Sequence, residues 1–145
     1  MAPLQAALRL LARREYAAVE LSRRLLLSGY AAADVAQALA ACQAKGYRSD
    51  ERFAGQLCRT RIAQGYGPLK IGQELRMHGI DPAWIKTIAE QEQVDWHAQA
   101  AAQLKKHAWR FKESADKSKP TRLLLARGFS AAVIQHVLSI SYENL

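Results

Sequence analysis

The sequence has few of the features that define secreted, membrane-bound or metal-binding proteins. Its 145 residues include only two cysteines, and Cys42 and Cys58 form neither a disulfide framework nor a metal-ligand spacing. No apolar run approaches the length of a membrane span, and the N-terminus lacks the layout of a signal peptide. We therefore expect a soluble cytoplasmic protein with no disulfide framework and no membrane contact.

Residues that favour β-strands are also scarce, whereas alanine and leucine are abundant. Apolar residues recur at steps of three and four, as in Leu4, Leu8 and Leu11, which is the helical period. Glycines and prolines stand where helices would end and begin. The sequence predicts an all-α fold class with nine helices near 3–14, 17–28, 31–45, 50–64, 68–78, 82–92, 96–112, 119–127 and 131–140. The predicted N-caps are Ser49, Asp81, Ser118 and Ser130.

An internal repeat is marked by Gly29, Gly79 and Gly128, which lie 50 and 49 residues apart. In each copy a leucine stands four positions before the glycine and an apolar residue directly follows it. Those two side chains touch across a Schellman helix end when the glycine is the left-handed residue. We predict three tandem three-helix repeats, at 1–48, 49–95 and 96–145, forming an elongated and curved array with a concave face for a partner. A polar loop is expected at 113–119, and no appended domain after the third repeat.

The motifs that carry enzymatic chemistry are weak. The glycine-rich run from Gly65 to Gly72 contains Lys70 but lacks the ending and the preceding strand of a phosphate-binding loop, so we interpret it as a helix start. The histidines show no zinc-like spacing, and the cysteines fit small core positions. We expect no catalytic residues, no metal, no cofactor and no enzymatic activity.

The net charge of +8 is unevenly spread along the chain. Residues 1–48 carry +4, residues 49–95 carry −1 and residues 96–145 carry +5. Two basic ends around a neutral middle suit an elongated polyanionic partner, although solubility alone also explains basic helices. In the third repeat Trp109 and Phe111 stand beside Arg110, where they could stack on bases. Aromatic residues at helical spacing are more often core residues, and we expect that here.

Several motifs occur together and in order along the chain. They are Leu11–Tyr16 with Glu20-Leu21, Gly46-Tyr47 with 50–54, Arg59-Thr60-Arg61, 65–68, Glu74-Leu75, Gly79-Ile80, and 122–130. This ordered set covers essentially the whole chain and resembles the RecX family of bacterial regulatory proteins. The tandem three-helix repeat agrees with the resemblance. One departure is Ala17, which stands where family members often have a serine that caps the second helix, and losing such a cap costs about 1 kcal/mol.

The resemblance implies a modulator of the RecA recombinase. Such proteins lie in the groove of the RecA–single-stranded DNA filament, oppose its growth, and reduce ATP hydrolysis, strand exchange and coprotease activity. The implied partners are the RecA filament and single-stranded DNA, contacted directly or through RecA. The alternative is a basic helical DNA-binding protein that acts by charge without a specific RecA contact. The oligomeric state is open, with a monomer as the default expectation.

The candidate contact residues are basic side chains on several predicted helices, together with a tyrosine in the turn before Pro68. We predict RecA or DNA contacts for Arg13, Arg14, Arg23, Arg24, Arg59, Arg61, Tyr66, Lys70, Lys105, Lys106 and Arg110.

Overall fold

The computed structural model describes residues 1–111 and 116–143. Within these ranges it contains nine α-helices, one short 3-10 turn at Ala108–Arg110 and no strand, which confirms the predicted all-α fold. The helices are α1 (Pro3–Leu11), α2 (Ala18–Leu27), α3 (Ala32–Ala44), α4 (Asp50–Ala63), α5 (Pro68–Met77), α6 (Trp84–Gln91), α7 (Trp96–Lys106), α8 (Ser118–Arg127) and α9 (Ala131–Glu143). None of the described helices combines the length and apolarity needed to cross a membrane.

The three repeated glycines close their helices as the sequence predicts. Gly29, Gly79 and Gly128 have φ of 96°, 73° and 95°, a region in which only glycine avoids a steric penalty. The N–H of the residue after each glycine donates to the carbonyl five positions back, at 3.4, 2.9 and 3.1 Å, which is the Schellman bond. The same pattern recurs after α6, where Gln93 has φ of 55° and Val94 N donates to Ala89 O at 2.9 Å. Gln93 therefore occupies the left-handed position that a glycine occupies at the other Schellman ends among the described residues.

The chain packs into two compact units. The first unit comprises Met1–Leu57 and Leu75–Asp81, and the second comprises Cys58–Glu74 and Pro82–Leu145. The boundaries of the three sequence repeats stay a prediction, because the two units reflect packing and not sequence similarity.

In the first unit, α1, α2 and α3 pack against one another around one core. The periodic leucines that predicted these helices pack against that core, whose fully buried residues are Ala7, Tyr16, Leu21, Leu25, Val35 and Cys42. Tyr16 and Phe53 are buried, whereas Tyr47 is half exposed.

The start of α2 is held by a side chain from α4. The N-cap residue Ala17 has no side chain that can accept a hydrogen bond, and Asp50 Oδ1 accepts from Ala18 N at 3.0 Å instead. The same carboxylate oxygen accepts from Arg48 Nη1 at 2.8 Å, while Arg48 Nη2 donates to Gln43 Oε1 at 2.7 Å. Arg48 is a buried cation, with 7% of its surface exposed. Asp50, the first residue of α4, therefore caps the N-terminus of α2 and neutralises the buried Arg48.

In the second unit, α7, α8 and α9 surround a core of Ala100, Leu124, Phe129, Ile134, Val137 and Leu138. The C-terminus of α8 abuts the N-terminus of α5: Gly67 N donates to Arg127 O at 2.7 Å, and Leu69 N donates to Gly128 O at 2.9 Å. The end of α8 thereby satisfies amide donors that a helix start leaves without an intrahelical partner. A Cβ on Gly67 would lie 2.5 Å from Gly128 O, so this approach requires glycine.

Two sequence expectations about the third repeat are wrong. Helix α7 ends at Lys106 and not near 112, because His107 leaves helical geometry with φ of −107° and ψ of 16°. Trp109 consequently loses the helical register that placed it in the core, and 71% of its surface is exposed. Phe111 is partly buried.

The N-caps agree with the sequence in part. Ser49 Oγ accepts from Arg52 N and Ser130 Oγ accepts from Val133 N, both at 3.2 Å. Ser118 is not a cap but the first residue of α8, and its N–H and hydroxyl donate to the Asp116 carboxylate at 2.9 and 2.8 Å. These bonds lower the pKa of Asp116. Of the predicted loop at 113–119, residues 113–115 lie outside the described residues.

Candidate functional site

The candidate arginines of the first unit fall into two environments. Arg14 forms an ion pair with Glu20, and its guanidinium lies 3.8 Å from the centre of the Tyr16 ring. The hydrogen bond to Glu20 raises the pKa of Arg14, which keeps the guanidinium charged, and the Glu20 carboxylate offsets that charge. Arg13 and Arg24 form no ion pair within the described residues and line an open hollow of about 190 Å³. Arg23 is exposed and does not line this hollow.

Two further candidates are engaged with acids of the second unit. Arg61 makes a two-pronged ion pair with Glu74, from Nε to Oε2 at 2.8 Å and from Nη2 to Oε1 at 2.7 Å. This pairing raises the pKa of Arg61. Arg59 lies 3.6 Å from Glu92, and both side chains are exposed. The ion pair of Arg61 with Glu74 therefore stabilises the fold. The ion pair of Arg59 with Glu92 is longer and exposed, so Arg59 can exchange Glu92 for another acidic partner at a small cost in free energy.

Tyr66 and Lys70 lie together on the second unit, as their spacing suggests, and Arg127 joins them. Lys70 Nζ is 4.6 Å and the Arg127 guanidinium carbon 5.0 Å from the centre of the Tyr66 ring. Arg127 Nη1 also donates to Gln64 O at 3.3 Å. The backbone contact between Gly67 and the end of α8 produces this cluster, because it places Arg127 beside the turn that carries Tyr66.

Lys106 and Arg110 lie next to this cluster through His107. The guanidinium of Arg110 lies 5.2 Å from the exposed ring of Trp109. Partial burial and the charges of Arg110, Arg127 and Lys106 lower the pKa of His107, which favours the neutral imidazole. Lys105 is exposed on the same helix end as Lys106.

We group these side chains of the second unit under the name basic–aromatic surface, because Arg127 lies over the Tyr66 ring and its charge also acts on His107. Its members are Tyr66, Lys70, Lys106, His107, Trp109, Arg110 and Arg127. Cations and an exposed tryptophan on one surface are the combination that binds single-stranded nucleic acid.

Sequence reasoning missed two cations that the structure brings to candidate sites. Arg127 belongs to the basic–aromatic surface. Its position directly before the repeat glycine Gly128 was the sequence signal that could have identified it as a candidate. Arg9 lines the hollow with Arg13, from which it lies one helical turn away.

The described residues hold no group of three or more histidine, cysteine or acidic side chains that could ligate a metal. Both cysteines are buried, as predicted for core positions. Burial raises the pKa of Cys42, and it raises the pKa of Cys58 to about 11. Neither thiol is a reactive nucleophile at neutral pH.

Helices that pack in groups of three around their own cores define a helical-repeat class of protein, and comparison with known proteins identifies the family. Residues 4–42 match the family model of the first three-helix domain of RecX, and residues 49–87 match that of the second. The chain belongs to the RecX family.

Curated relatives cover nearly the full length of the chain. It is 47% identical over 138 residues to the regulatory protein RecX of Legionella pneumophila, covering 90% of this chain and 89% of the relative. It is 40% identical over 144 residues to the regulatory protein RecX of Acidithiobacillus ferrooxidans, covering 98% of this chain and 92% of the relative. The crystal structure of RecX from Lactobacillus salivarius is similar in fold, with a TM-score of 0.84, 20% identity and coverage of 94% of this chain and 92% of that one. The chain is thus a member of a family of regulatory proteins.

Proposed function

We propose that this protein regulates the RecA recombinase by binding the RecA–single-stranded DNA filament. The observation that carries the proposal is the match over nearly the whole chain to proteins named regulatory protein RecX. In this proposal the protein limits filament growth and thereby lowers ATP hydrolysis, strand exchange and coprotease activity. It acts in the cytoplasm as a monomer and performs no reaction of its own.

Exposed cations without a carboxylate partner in the described residues support binding to a polyanionic filament. In the first unit these are Arg13, Arg23 and Arg24, and in the second they are Lys70, Lys105, Lys106 and Arg110. Each of them can meet a phosphate or a carboxylate without first leaving an internal carboxylate. Arg14 and Arg61, in contrast, would have to give up Glu20 and Glu74.

The test is ATP hydrolysis by preformed RecA filaments on single-stranded DNA, with this protein added far below one molecule per RecA protomer. We expect a progressive fall in rate, because a regulator of a polymer acts on many subunits at once. Inhibition only at stoichiometric or higher ratios would contradict the proposal. Lys105→Gln/Lys106→Gln should weaken inhibition, whereas Lys45→Gln/Lys86→Gln removes the same charge from exposed sites outside the candidates and should not.

A second candidate function, binding of single-stranded DNA by charge and stacking without RecA, is favoured by the basic–aromatic surface. It predicts that the logarithm of affinity falls steeply and linearly with the logarithm of salt concentration. Trp109→Ala should weaken binding by about 1–3 kcal/mol, the usual value of one stacked base, when measured by fluorescence anisotropy of a labelled oligonucleotide.

The two functions separate in a competition experiment. If the protein acts only by occupying DNA, added free single-stranded DNA abolishes its inhibition of RecA in proportion to the sites supplied. If it acts on the filament, inhibition persists at salt concentrations that eliminate binding to free DNA.

A further inference from the structure

The hollow in the first unit gathers three arginines from two helix ends. Arg9 lies in the last turn of α1, Arg13 follows two residues after that helix, and Arg24 lies in the last turn of α2. All three are exposed and line the hollow together. No acidic side chain lines it, and none of the three forms an ion pair within the described residues.

The rest of the lining is apolar and internally bonded. Ala6, Leu10 and Leu25 form much of the surface, with Met1 and Ser28. The Tyr30 hydroxyl donates to Met1 O at 2.8 Å, and the Ser28 hydroxyl donates to Arg24 O at 3.0 Å. The side-chain donors that remain for a bound group are therefore the guanidinium N–H groups.

Size and charge restrict the bound group. The hollow has a volume of about 190 Å³, which is below the range of about 300–1,000 Å³ for sites of drug-sized ligands. A single phosphate group fits inside the hollow, and the rest of a larger ligand would extend through its open side. Three positively charged side chains line the hollow and no acidic side chain does, so the lining favours an anion.

Phosphate fits this arrangement better than a carboxylate. Elsewhere in the described residues an arginine pairs with one carboxylate, as Arg61 does with Glu74 and Arg14 with Glu20. A phosphate monoester brings nearly two negative charges and three acceptor oxygens, which matches three forked donors.

We propose that the hollow lined by Arg9, Arg13 and Arg24 is a binding site for a phosphate monoester. The monoester is either the 5′-phosphate of a nucleic acid or the phosphate of a small nucleotide. The hollow belongs to the first unit, whereas the basic–aromatic surface belongs to the second.

An alternative explanation is that Arg9 and Arg24 only stabilise the C-terminal dipoles of their helices. That explanation predicts that Arg9→Gln and Arg24→Gln lower the melting temperature in chloride buffer. A phosphate site predicts an unchanged or higher melting temperature for Arg13→Gln, because substitution relieves repulsion. It also predicts that phosphate raises the melting temperature of the unmodified chain more than that of this variant.

The direct test is titration of the full chain with inorganic phosphate at constant ionic strength, followed by the amide resonances in two-dimensional NMR. We expect saturable shifts confined to residues 6–13 and 24–28. Arg13→Gln and Arg24→Gln should each raise the dissociation constant about tenfold, the usual effect of losing one charged hydrogen bond. Arg23→Gln is the matched control, since it removes the same charge beside Arg24 but outside the hollow, and should change the constant by less than about twofold. Equal effects of all three substitutions, or shifts spread over the chain, would overturn the site.

Three further ligands identify the source of the phosphate. A short oligonucleotide with a 5′-phosphate should compete for the site more strongly than the same oligonucleotide without it. A nucleoside monophosphate that competes as well as the phosphorylated oligonucleotide supports a small-molecule source, and weaker competition supports a nucleic-acid end. Equal competition by both oligonucleotides, or tighter binding of a glutamate-rich peptide, would overturn the assignment to a phosphate monoester.

Discussion

Replacing Asp50 with alanine should destabilise the first unit through two partners that sequence reasoning did not connect to it. The carboxylate accepts from Ala18 N at 3.0 Å and from Arg48 Nη1 at 2.8 Å. Without it, the first amide of α2 has no side-chain cap and Arg48 keeps only Gln43 among its side-chain hydrogen-bond partners. Arg48 Nε is already buried without a partner among the described residues.

The size of the effect follows from these two losses. Removal of a helix cap costs about 1 kcal/mol, and loss of a hydrogen bond to a charged group costs about 1.5–3 kcal/mol. Because 41% of the Asp50 side chain is exposed, water replaces part of the second bond, and the lower figure applies. We expect Asp50→Ala to lower the free energy of unfolding by about 2.5 kcal/mol. Asp50→Asn keeps an acceptor for Ala18 and should cost about 1.5 kcal/mol.

Urea unfolding of the full chain, followed by circular dichroism, measures both values. Arg48→Met in the Asp50→Ala background should recover part of the loss, because it removes the buried charge that the first change leaves without its carboxylate. A value for Asp50→Ala within about 0.5 kcal/mol of the unmodified chain, the range of ordinary surface substitutions, would refute the reasoning. Equal costs for Asp50→Ala and Asp50→Asn would refute the capping part of it.

Three further predictions concern the helix ends and a buried thiol. Gln93→Gly should raise the free energy of unfolding by about 0.5–1 kcal/mol, since it removes the left-handed strain of a side chain; a thermal melt with no gain would contradict this. Gly67→Ala should cost about 2–3 kcal/mol by forcing a Cβ against Gly128 O. Gly29→Ala meets only open space and should cost about 1 kcal/mol, and urea unfolding should show that difference. Cys58, whose pKa burial raises to about 11, should react with iodoacetamide at pH 8 only after denaturant is added, as followed by mass spectrometry.

The fold follows from the sequence wherever one residue determines local geometry. A left-handed backbone strongly selects glycine, so Gly29, Gly79 and Gly128 mark helix ends that the structure confirms. The end of α6 is harder to predict because Gln93 adopts the same conformation with a side chain. The end of α7 differs from the prediction because no glycine follows Lys106, and a 3-10 turn continues the chain without a sequence marker.

The site follows from the sequence only in part, because a cation is available to a partner only if no acid in the fold pairs with it. Arg61 and Glu74 are 13 residues apart, and Arg52 and Glu15 are 37 apart. Such separations give no periodic pattern, since the partners meet through packing and not through a shared helix face. Lys70 stands one helical turn before Glu74 and is the partner that local spacing would suggest. In the structure Arg61 donates to both carboxylate oxygens of Glu74, and Lys70 lies over the Tyr66 ring.

Pairing therefore separates the predicted contact residues into two groups with different behaviour on substitution. Removing Arg61 exposes the carboxylate of Glu74, so Arg61→Gln should lower both stability and affinity for a polyanion. Removing Lys106 leaves no acid behind, so Lys106→Gln should lower affinity alone. If Arg61→Gln reduced filament inhibition without any loss of stability, the ion pair would be incidental and Arg61 would itself contact the partner. The positive charge available to a polyanionic partner is that of the cations that have no acidic partner in the fold. The net charge of +8 does not distinguish these cations from the paired ones.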